Sequence, residues 1–288
     1  MGLILLHGFA ATFYASLAVY FWRTHWHQRQ FVQTFDQREI SVTSRGFLWW
    51  ERALLATAVL FHALLLTNAL FGSGHFRFGF AHALSMMALL ALTFYGLESL
   101  VHPLEGMPVL VLPPAALSVA LPALFGGALM TGKANAPAFV AHVLIAMLAY
   151  AFMAIAAAHA VLMLVVERRL HARRGGGRDR AALAGLPPLL TMERLLFQII
   201  TAGFVLLSLT VASGIVFSEE IFGRALTFDH KTVFGLLAWV IFAVLLLGRL
   251  IYGWRGRAAL NGTFAGFGVL LLAYVGSRFV VEVVLGRL

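Results

Sequence analysis

Histidine is the residue type in this sequence best suited to chemistry, because its ring nitrogens can bind a metal ion or move a proton. The apolar stretch FVAHVLIAMLAYAFMAIAAAHAVLMLVVE, residues 139–167, contains two histidines, His142 and His159. Their separation along a helix is about 25 Å, at about 1.5 Å per residue. The two rings therefore cannot hold one small cofactor together, and each would need a partner from another element.

The elements that must position these rings are membrane-spanning helices. Of the 288 residues, 61% are hydrophobic and only 11% are charged, and the mean hydropathy is +0.90. Several apolar segments reach the roughly 20 residues that a helix needs to cross a bilayer. We therefore predict an all-α integral membrane protein with a single membrane domain over residues 1–288. Its eight transmembrane helices are predicted at about 3–22, 53–72, 80–100, 107–129, 139–166, 194–217, 232–252 and 263–284.

The distribution of arginine predicts the orientation in the membrane. Arginines are concentrated in the loops after the first, fifth and seventh spans, which makes these loops cytoplasmic. Both termini are then outside, together with the loops around His75, Lys133 and Asp229. Because the net charge of +9 comes mainly from these loops, we expect a lipid bilayer as partner and no nucleic acid.

The composition limits the available chemistry. The absence of cysteine excludes disulfides, thiolate ligands and thioether attachment of heme to this chain. No P-loop, HExxH or GxSxG motif is present, so we expect no enzymatic activity. Glu98 and Glu105 are predicted to be solvated at a cytoplasmic turn. Arg278 and Glu282 are four residues apart, which favours an ion pair near the outer interface over catalysis.

Two segments are predicted to have an irregular backbone. The fourth span contains Pro108, Pro113, Pro114 and Pro122, and should be kinked or broken. Residues 175–188, GGGRDRAALAGLPP, are typical of a flexible cytoplasmic linker between five spans and three. Broken spans line substrate paths in some transporters, but no buried charge pair accompanies this one, so transport is the weakest of the functions considered.

The positions of the remaining histidines in the predicted spans indicate their depth in the membrane. His7, His75, His82 and His230 lie at or near the outer ends of spans or in outer loops, where a hydrogen bond to water or backbone is the simpler interpretation. His62 lies near mid-bilayer, where an ionisable side chain usually faces the bundle interior. We predict that His62 points inward, and that it has either a functional role or an interhelical hydrogen bond.

The last part of the chain contains four motifs: LPPLLTMERLLFQIITAGFVLLSLTVASGIVF, DHKTVFGLLAW, GWRGR and LAYVGSRFV. They resemble the cytochrome c assembly transmembrane family, which includes CcsA (ResC) and HemX, and in particular its short YpjD-like branch. The segment AHVLIAMLAYAF, with His142 and Tyr150, is similar to the family's histidine-containing span, and FHALLL around His62 resembles the short branch. The resemblance implies a multi-pass protein in the plasma (inner) membrane of a bacterium.

The resemblance also implies a cofactor. CcsA-type proteins present heme at the outer face for ligation to apocytochrome c, using external histidines beside a tryptophan-rich loop. His142 matches the first of these histidines, and His230 or His82 would supply the second axial ligand to the heme iron. His62 is kept as a further cofactor-binding candidate, and Tyr150 is expected to have a structural role. The implied partners are heme and other cytochrome c assembly proteins.

The sequence departs from the CcsA pattern at three places. Where that pattern resembles WGxYWxWDPKETW, this chain has FGRALTFDHKTVF, which keeps Asp229 and Lys231 but has no tryptophan. Leu247 occupies the position of a family histidine, and the C-terminal VVLGRL has no external histidine. Two functions therefore remain open: heme handling or presentation at the outer face, and a HemX-like membrane regulator or interaction protein that has lost the heme site.

Overall fold

The computed structural model describes residues 2–27, 47–72, 74, 76–101, 104, 106–129, 137–172, 188–222 and 229–286. Its helices are α1 (Gly2–Phe21, followed by a π-helical segment, Trp22–His27), α2 (Trp49–Phe71), α3 (Phe80–Val101), α4 (Met107–Leu124), α5 (Pro137–Ala172), α6 (Leu189–Phe222), α7 (His230–Tyr252) and α8 (Arg257–Leu271). From α8 the chain continues through a π-helical turn (Leu272–Gly276), a short α9 (Ser277–Phe279) and a second π-helical turn (Val280–Val284). Two short strands, β1 (Arg77–Phe78) and β2 (Ala128–Leu129), complete the described elements.

Within the described ranges, eight helical spans are long and apolar enough to cross a membrane, which confirms the predicted all-α, eight-span membrane fold. Helix α8 begins at Arg257 instead of about residue 263. Large differences from the predicted boundaries are also found in α5 and α6, which have 36 and 34 residues. At about 1.5 Å per residue both exceed 50 Å, whereas the hydrocarbon layer is about 30 Å thick. These two helices therefore extend beyond the apolar part of their spans.

Close helix packing uses small residues at specific positions. A Cβ on Gly262 would lie 2.9 Å from Leu245 Cδ1, and one on Gly266 would lie 2.7 Å from Phe242 Cζ. Both glycines therefore let α8 approach α7 closely, as small residues do in membrane bundles. On α1, the residues Ala10, Tyr14, Leu17 and Phe21 are buried at helical spacing and form the face that packs into the N-terminal core.

The two ends of the bundle differ in their elements. At one end β1 and β2 pair antiparallel, with Arg77 opposite Leu129 and Phe78 opposite Ala128. We call this the sheet end; α1, α3, α5 and α7 begin there. The opposite end, which we call the arginine end, carries the described arginines Arg23, Arg52, Arg168, Arg194, Arg249, Arg255 and Arg257.

Of the two alternatives for the fourth span, a kink and a break, the break is wrong, because α4 is one continuous helix with Pro113, Pro114 and Pro122 inside it. The packing kink, which the sequence favoured, stays a prediction. Packing against α1 and α3 stabilises a helix that its prolines alone would disfavour. One carbonyl near Pro122 is also used between helices, since His7 Nδ1 donates to the carbonyl of Val119 at 2.6 Å.

Some predicted features lie outside the described residues. They include the loops with His75 and Lys133, residue Glu105, and residues 175–187 of the predicted linker.

Candidate functional site

His142 lies in the first turns of α5 at the sheet end, where it is half-buried. Its Nδ1 lies 2.8 Å from Ser213 Oγ on α6. The Ser213 hydroxyl donates to the carbonyls of Leu209, at 2.7 Å, and Thr210, at 3.1 Å, as serine commonly does inside helices. With its single proton directed to a helix carbonyl, Ser213 Oγ can accept from His142 Nδ1–H, and in that tautomer the lone pair of the ring is on Nε2.

His230 and Lys231 lie at the start of α7, and a capping interaction fixes this start. Asp229 Oδ1 accepts hydrogen bonds from the Thr232 backbone N–H and from the Thr232 hydroxyl, both at 2.9 Å. This is the usual N-cap arrangement, in which a short carboxylate satisfies backbone donors of the first turn. His230 and Lys231 follow immediately and are both exposed.

Polar residues from the end of the last span face the start of α7. The Lys231 ammonium lies 5.8 Å from the centre of the Tyr274 ring, and the Tyr274 side chain interacts with the Arg278 guanidinium. Arg278 Nη1 lies 3.8 Å from Glu282 Oε1, which confirms the predicted i,i+4 pair. Tyr274 and Glu282 lie in the two π-helical turns, a distortion often found at functional sites.

The junction between β1 and α3 holds this segment in place. Glu282 Oε2 accepts a hydrogen bond from the Phe80 backbone N–H at 3.4 Å. A Cβ on Gly79 would lie 2.6 Å from the same oxygen, so a larger residue there would displace the carboxylate. The Phe78 ring lies 5.7 Å from the Tyr274 ring and connects the strand to the last span.

His82 is buried beneath the strands, with 1% of its surface exposed. Its ring interacts with the backbone of Ala69 at the end of α2. Nδ1 is buried and has no hydrogen-bond partner within the described part of the chain. A Cβ on Gly127, which has a φ of 65°, would lie 2.9 Å from this nitrogen, so the backbone before β2 covers the ring.

His62 is fully buried, which confirms that it points into the bundle. Its Nδ1 lies 3.3 Å from the Tyr14 hydroxyl, and its Nε2 lies 2.8 Å from Ser85 Oγ. The Tyr14 hydroxyl also donates to the carbonyl of Ala58 at 3.1 Å. Through these hydrogen bonds His62 of α2 connects to α1 and α3. Of the two roles predicted for His62, the structure contains the interhelical hydrogen bond.

A family model described as "Cytochrome C assembly protein" matches residues 50–285, which are most of the chain and include the site residues just described apart from Tyr14. The chain belongs to this family. It is 31% identical over 170 residues to the inner membrane protein YpjD of Escherichia coli (strain K12), covering 59% of this chain and 62% of the relative. It is also 34% identical over 85 residues to the cytochrome c biogenesis protein CcsA of Cyanophora paradoxa, covering 30% of this chain and 26% of the relative.

The CcsA protein of Prochlorococcus marinus (strain NATL1A) gives a similar result, 35% identity over 85 residues, covering 30% of this chain and 27% of the relative. The chain spans less than two thirds of the length of these curated relatives. Family membership and the eight spans make the chain a multi-pass membrane protein of the cytochrome c assembly type. The predicted location in the plasma (inner) membrane of a bacterium is confirmed.

The candidate histidines occupy four different surroundings in this family member. His142 lies between α5 and α6, His82 beneath the strands, and His62 among α1, α2 and α3, whereas His230 is exposed. Within the described residues, no three His, Cys, Asp or Glu side chains are grouped as a metal site would require. The heme-ligand roles of all four therefore stay predictions.

The prediction for Glu98 at the arginine end is wrong, because this carboxylate is not solvated. Its Oε1 lies 3.5 Å from His159 Nε2, and the side chains of Glu98 and His159 are 9% and 0% exposed. The two residues come from α3 and α5, and sequence spacing gave no sign of their contact. The sequence also gave no sign that Lys231 lies near Arg278. The family motifs DHKTV and GSRFV contain these two residues, but only the fold brings them together.

Proposed function

We propose that this chain handles heme during cytochrome c assembly, and that it holds or passes heme at the sheet end, which we assign to the outer face of the membrane. The orientation of His142 is the observation that carries the proposal. A ligating histidine usually donates its second ring N–H to a neighbouring group, which fixes the ring and raises the basicity of the ligating nitrogen. Ser213 Oγ, 2.8 Å from His142 Nδ1, can serve as such an acceptor, and Nε2 would then be the ligating atom.

The residues at the sheet end fit heme as cargo. His142 Nε2 would supply one axial ligand. His230 is the preferred second ligand because it is exposed and lies at the start of α7, in the segment where CcsA-type relatives have their tryptophan-rich motif. His82 is the other candidate, but its ring is covered by the strands. His62 contributes less, because both of its ring nitrogens already contact protein groups.

In this function the protein binds and presents its cargo, and we assign no catalytic residue. Its contribution is to hold an imidazole at the required orientation near the membrane surface. Axial ligation and the surrounding hydrogen bonds set the properties of the iron, whereas the redox chemistry is that of the heme.

The test is the absorption spectrum of the protein purified from heme-replete cells, with variants compared at matched membrane expression. We expect wild type to show a Soret band of low-spin bis-histidine type. His142→Ala should abolish the band, and His230→Ala should shift it towards a high-spin spectrum. His159→Ala is the matched control from the same helix and should leave the spectrum unchanged, because His159 lies towards the arginine end.

Ser213→Ala tests the orienting hydrogen bond separately. It keeps the His142 ring but removes the acceptor, and loss of such a partner lowers metal affinity by about 10–100-fold. Equal heme content in wild type and His142→Ala would refute the ligand assignment. An absence of heme in wild type would favour the HemX-like regulator or interaction protein instead.

A further inference from the structure

The described part of the sheet end contains three cations, Arg77, Lys231 and Arg278, and two of them have an unused hydrogen-bond donor. The Nε atoms of Arg77 and Arg278 are both buried and have no hydrogen-bond partner among the residues described. Leaving a buried charged donor unpaired is costly, and native structures rarely retain one without a reason.

The nearby carboxylates do not fully compensate these cations. Glu282 lies 3.8 Å from the Arg278 guanidinium, which is too far for a strong hydrogen bond, and its Oε2 accepts from the Phe80 backbone N–H. Asp229 caps α7 through its Oδ1. Lys231 interacts electrostatically with Arg278 and with both carboxylates, so it belongs to the same cluster.

Access and position suit a ligand that approaches from the membrane surface. Lys231 is exposed and the Arg278 side chain is 21% exposed, whereas the Glu282 side chain is only 3% exposed. The cations are thus reachable while the competing carboxylate is not. The last span also contacts α5, because the Tyr150 hydroxyl of α5 interacts with the backbone of Tyr274.

We propose that Lys231 and Arg278 form an anion site that binds the propionate carboxylates of the heme cargo. A guanidinium presents paired donors that match a carboxylate, and an ammonium adds a compact point charge. The proposal deepens the function proposed above and rests on it. The phosphate of an anionic lipid headgroup has related chemistry, so the experiment must separate these two sources.

The test uses protoporphyrin IX, which has both propionates but no iron, and its uncharged dimethyl ester. Binding is measured by porphyrin fluorescence with the full chain in phosphatidylcholine nanodiscs. We expect wild type to bind the diacid at least about tenfold more tightly than the diester, since a hydrogen bond to a charged group accounts for about a tenfold effect or more. Arg278→Gln and Lys231→Gln should each weaken diacid binding about tenfold and leave diester binding unchanged.

Three further variants separate recognition from folding. Arg249→Gln is the matched arginine control at the arginine end and should leave both affinities unchanged. Arg278→Lys retains the charge and should recover part of the diacid affinity. Glu282→Gln removes the competing negative charge and should raise diacid affinity, whereas general damage to the site would lower it.

The outcomes distinguish this proposal from the proposed function. His142→Ala should remove the heme Soret band but leave protoporphyrin affinity intact, because the probe contains no iron. Heme binding through His142 together with equal affinity for diacid and diester would overturn the anion site alone. Diacid preference without a heme spectrum would overturn axial ligation alone, and binding of neither porphyrin would overturn the anion site.

The lipid source is tested with the same variants purified from native membranes. If Arg278→Gln loses co-purified phosphatidylglycerol while wild type does not distinguish diacid from diester, the site binds lipid phosphate, and the carboxylate assignment is overturned.

Discussion

The arginine end and the sheet end of the bundle both contain buried charged side chains, but these are paired in different ways. Each of the four carboxylates described at the arginine end contacts a basic side chain. Glu51 lies near His25, Glu98 near His159, Glu167 near Arg257 and Glu193 near Arg249. At the sheet end Arg278 also lies 3.8 Å from Glu282, but the buried Nε atoms of Arg77 and Arg278 have no hydrogen-bond partner within the described ranges. The Glu98–His159 pair is the exception at the arginine end, because Glu98 Oε2 and both His159 ring nitrogens likewise have no hydrogen bond among the described residues.

This difference separates charges that support the fold from charges that are available to a ligand. Glu51 is 2% exposed and accepts hydrogen bonds from the Tyr20 hydroxyl, at 2.8 Å, and from the Leu48 backbone N–H, also at 2.8 Å. Such a carboxylate is satisfied within the protein and fixes where α2 begins. Arg278 interacts with Tyr274 and lies 3.8 Å from Glu282, but its buried Nε has no hydrogen-bond partner among the described residues, so the guanidinium retains a donor for a molecule that binds later.

The largest effect is expected in a test of membrane orientation, because a reporter fused to a loop lies on one side of the membrane or on the other. This prediction concerns which end of the bundle faces the cytoplasm. The arginine-rich loops predict that reporter fusions after Arg174 and after Lys133 lie on opposite sides of the membrane, with Arg174 inside. Paired alkaline phosphatase and green fluorescent protein fusions measure this directly. The same side for both fusions would contradict the eight-span arrangement, and a reversed result would place the sheet end in the cytoplasm.

A large stability effect is expected for Glu51→Ala. The variant leaves the Tyr20 hydroxyl, the His25 ring and the Leu48 N–H without their acceptor, and removing one partner from a buried polar network costs about 3 kcal/mol. The measurement is the free energy of unfolding in mixed micelles, followed by circular dichroism. Thr57→Ala, an exposed position on the same helix, is the control and should change this free energy by less than about 0.5 kcal/mol.

If Glu51→Ala and Thr57→Ala had equal effects, the carboxylate would not support the start of α2, and the contrast between the two ends would lose its main example.

The smallest loss of stability is expected for Arg278→Gln at the sheet end. Arg249→Gln at the arginine end is the variant with which it is compared. Arg249→Gln removes a 2.7 Å hydrogen bond to Glu193 and a contact with the Phe197 ring, with an expected cost of about 2 kcal/mol. Arg278→Gln removes the 3.8 Å pair with Glu282 and the interaction with the Tyr274 side chain, and should cost less, about 1 kcal/mol. Unfolding in the same mixed micelles compares them, and a larger loss for Arg278→Gln would assign that arginine a structural role.

Much of the fold could be predicted from the sequence because the deciding signal is local. A run of apolar residues long enough to cross a bilayer requires only its own composition, so the eight spans agree with the structure to within a few residues at most boundaries. The inward direction of His62 follows from the same reasoning, because exposing its ring nitrogens to lipid would leave them unpaired. The i,i+4 spacing of Arg278 and Glu282 likewise needed only helix geometry.

Only the tertiary structure decided which distant groups meet. The continuity of α4 through its prolines depends on packing against neighbouring helices, which no local rule contains. Glu98 is buried because α5 brings His159 to it, and Lys231 joins Arg278 because α7 begins beside the last span. The rotation of each helix about its axis determines these contacts, and that rotation is set by the sum of many small packing interactions across the bundle.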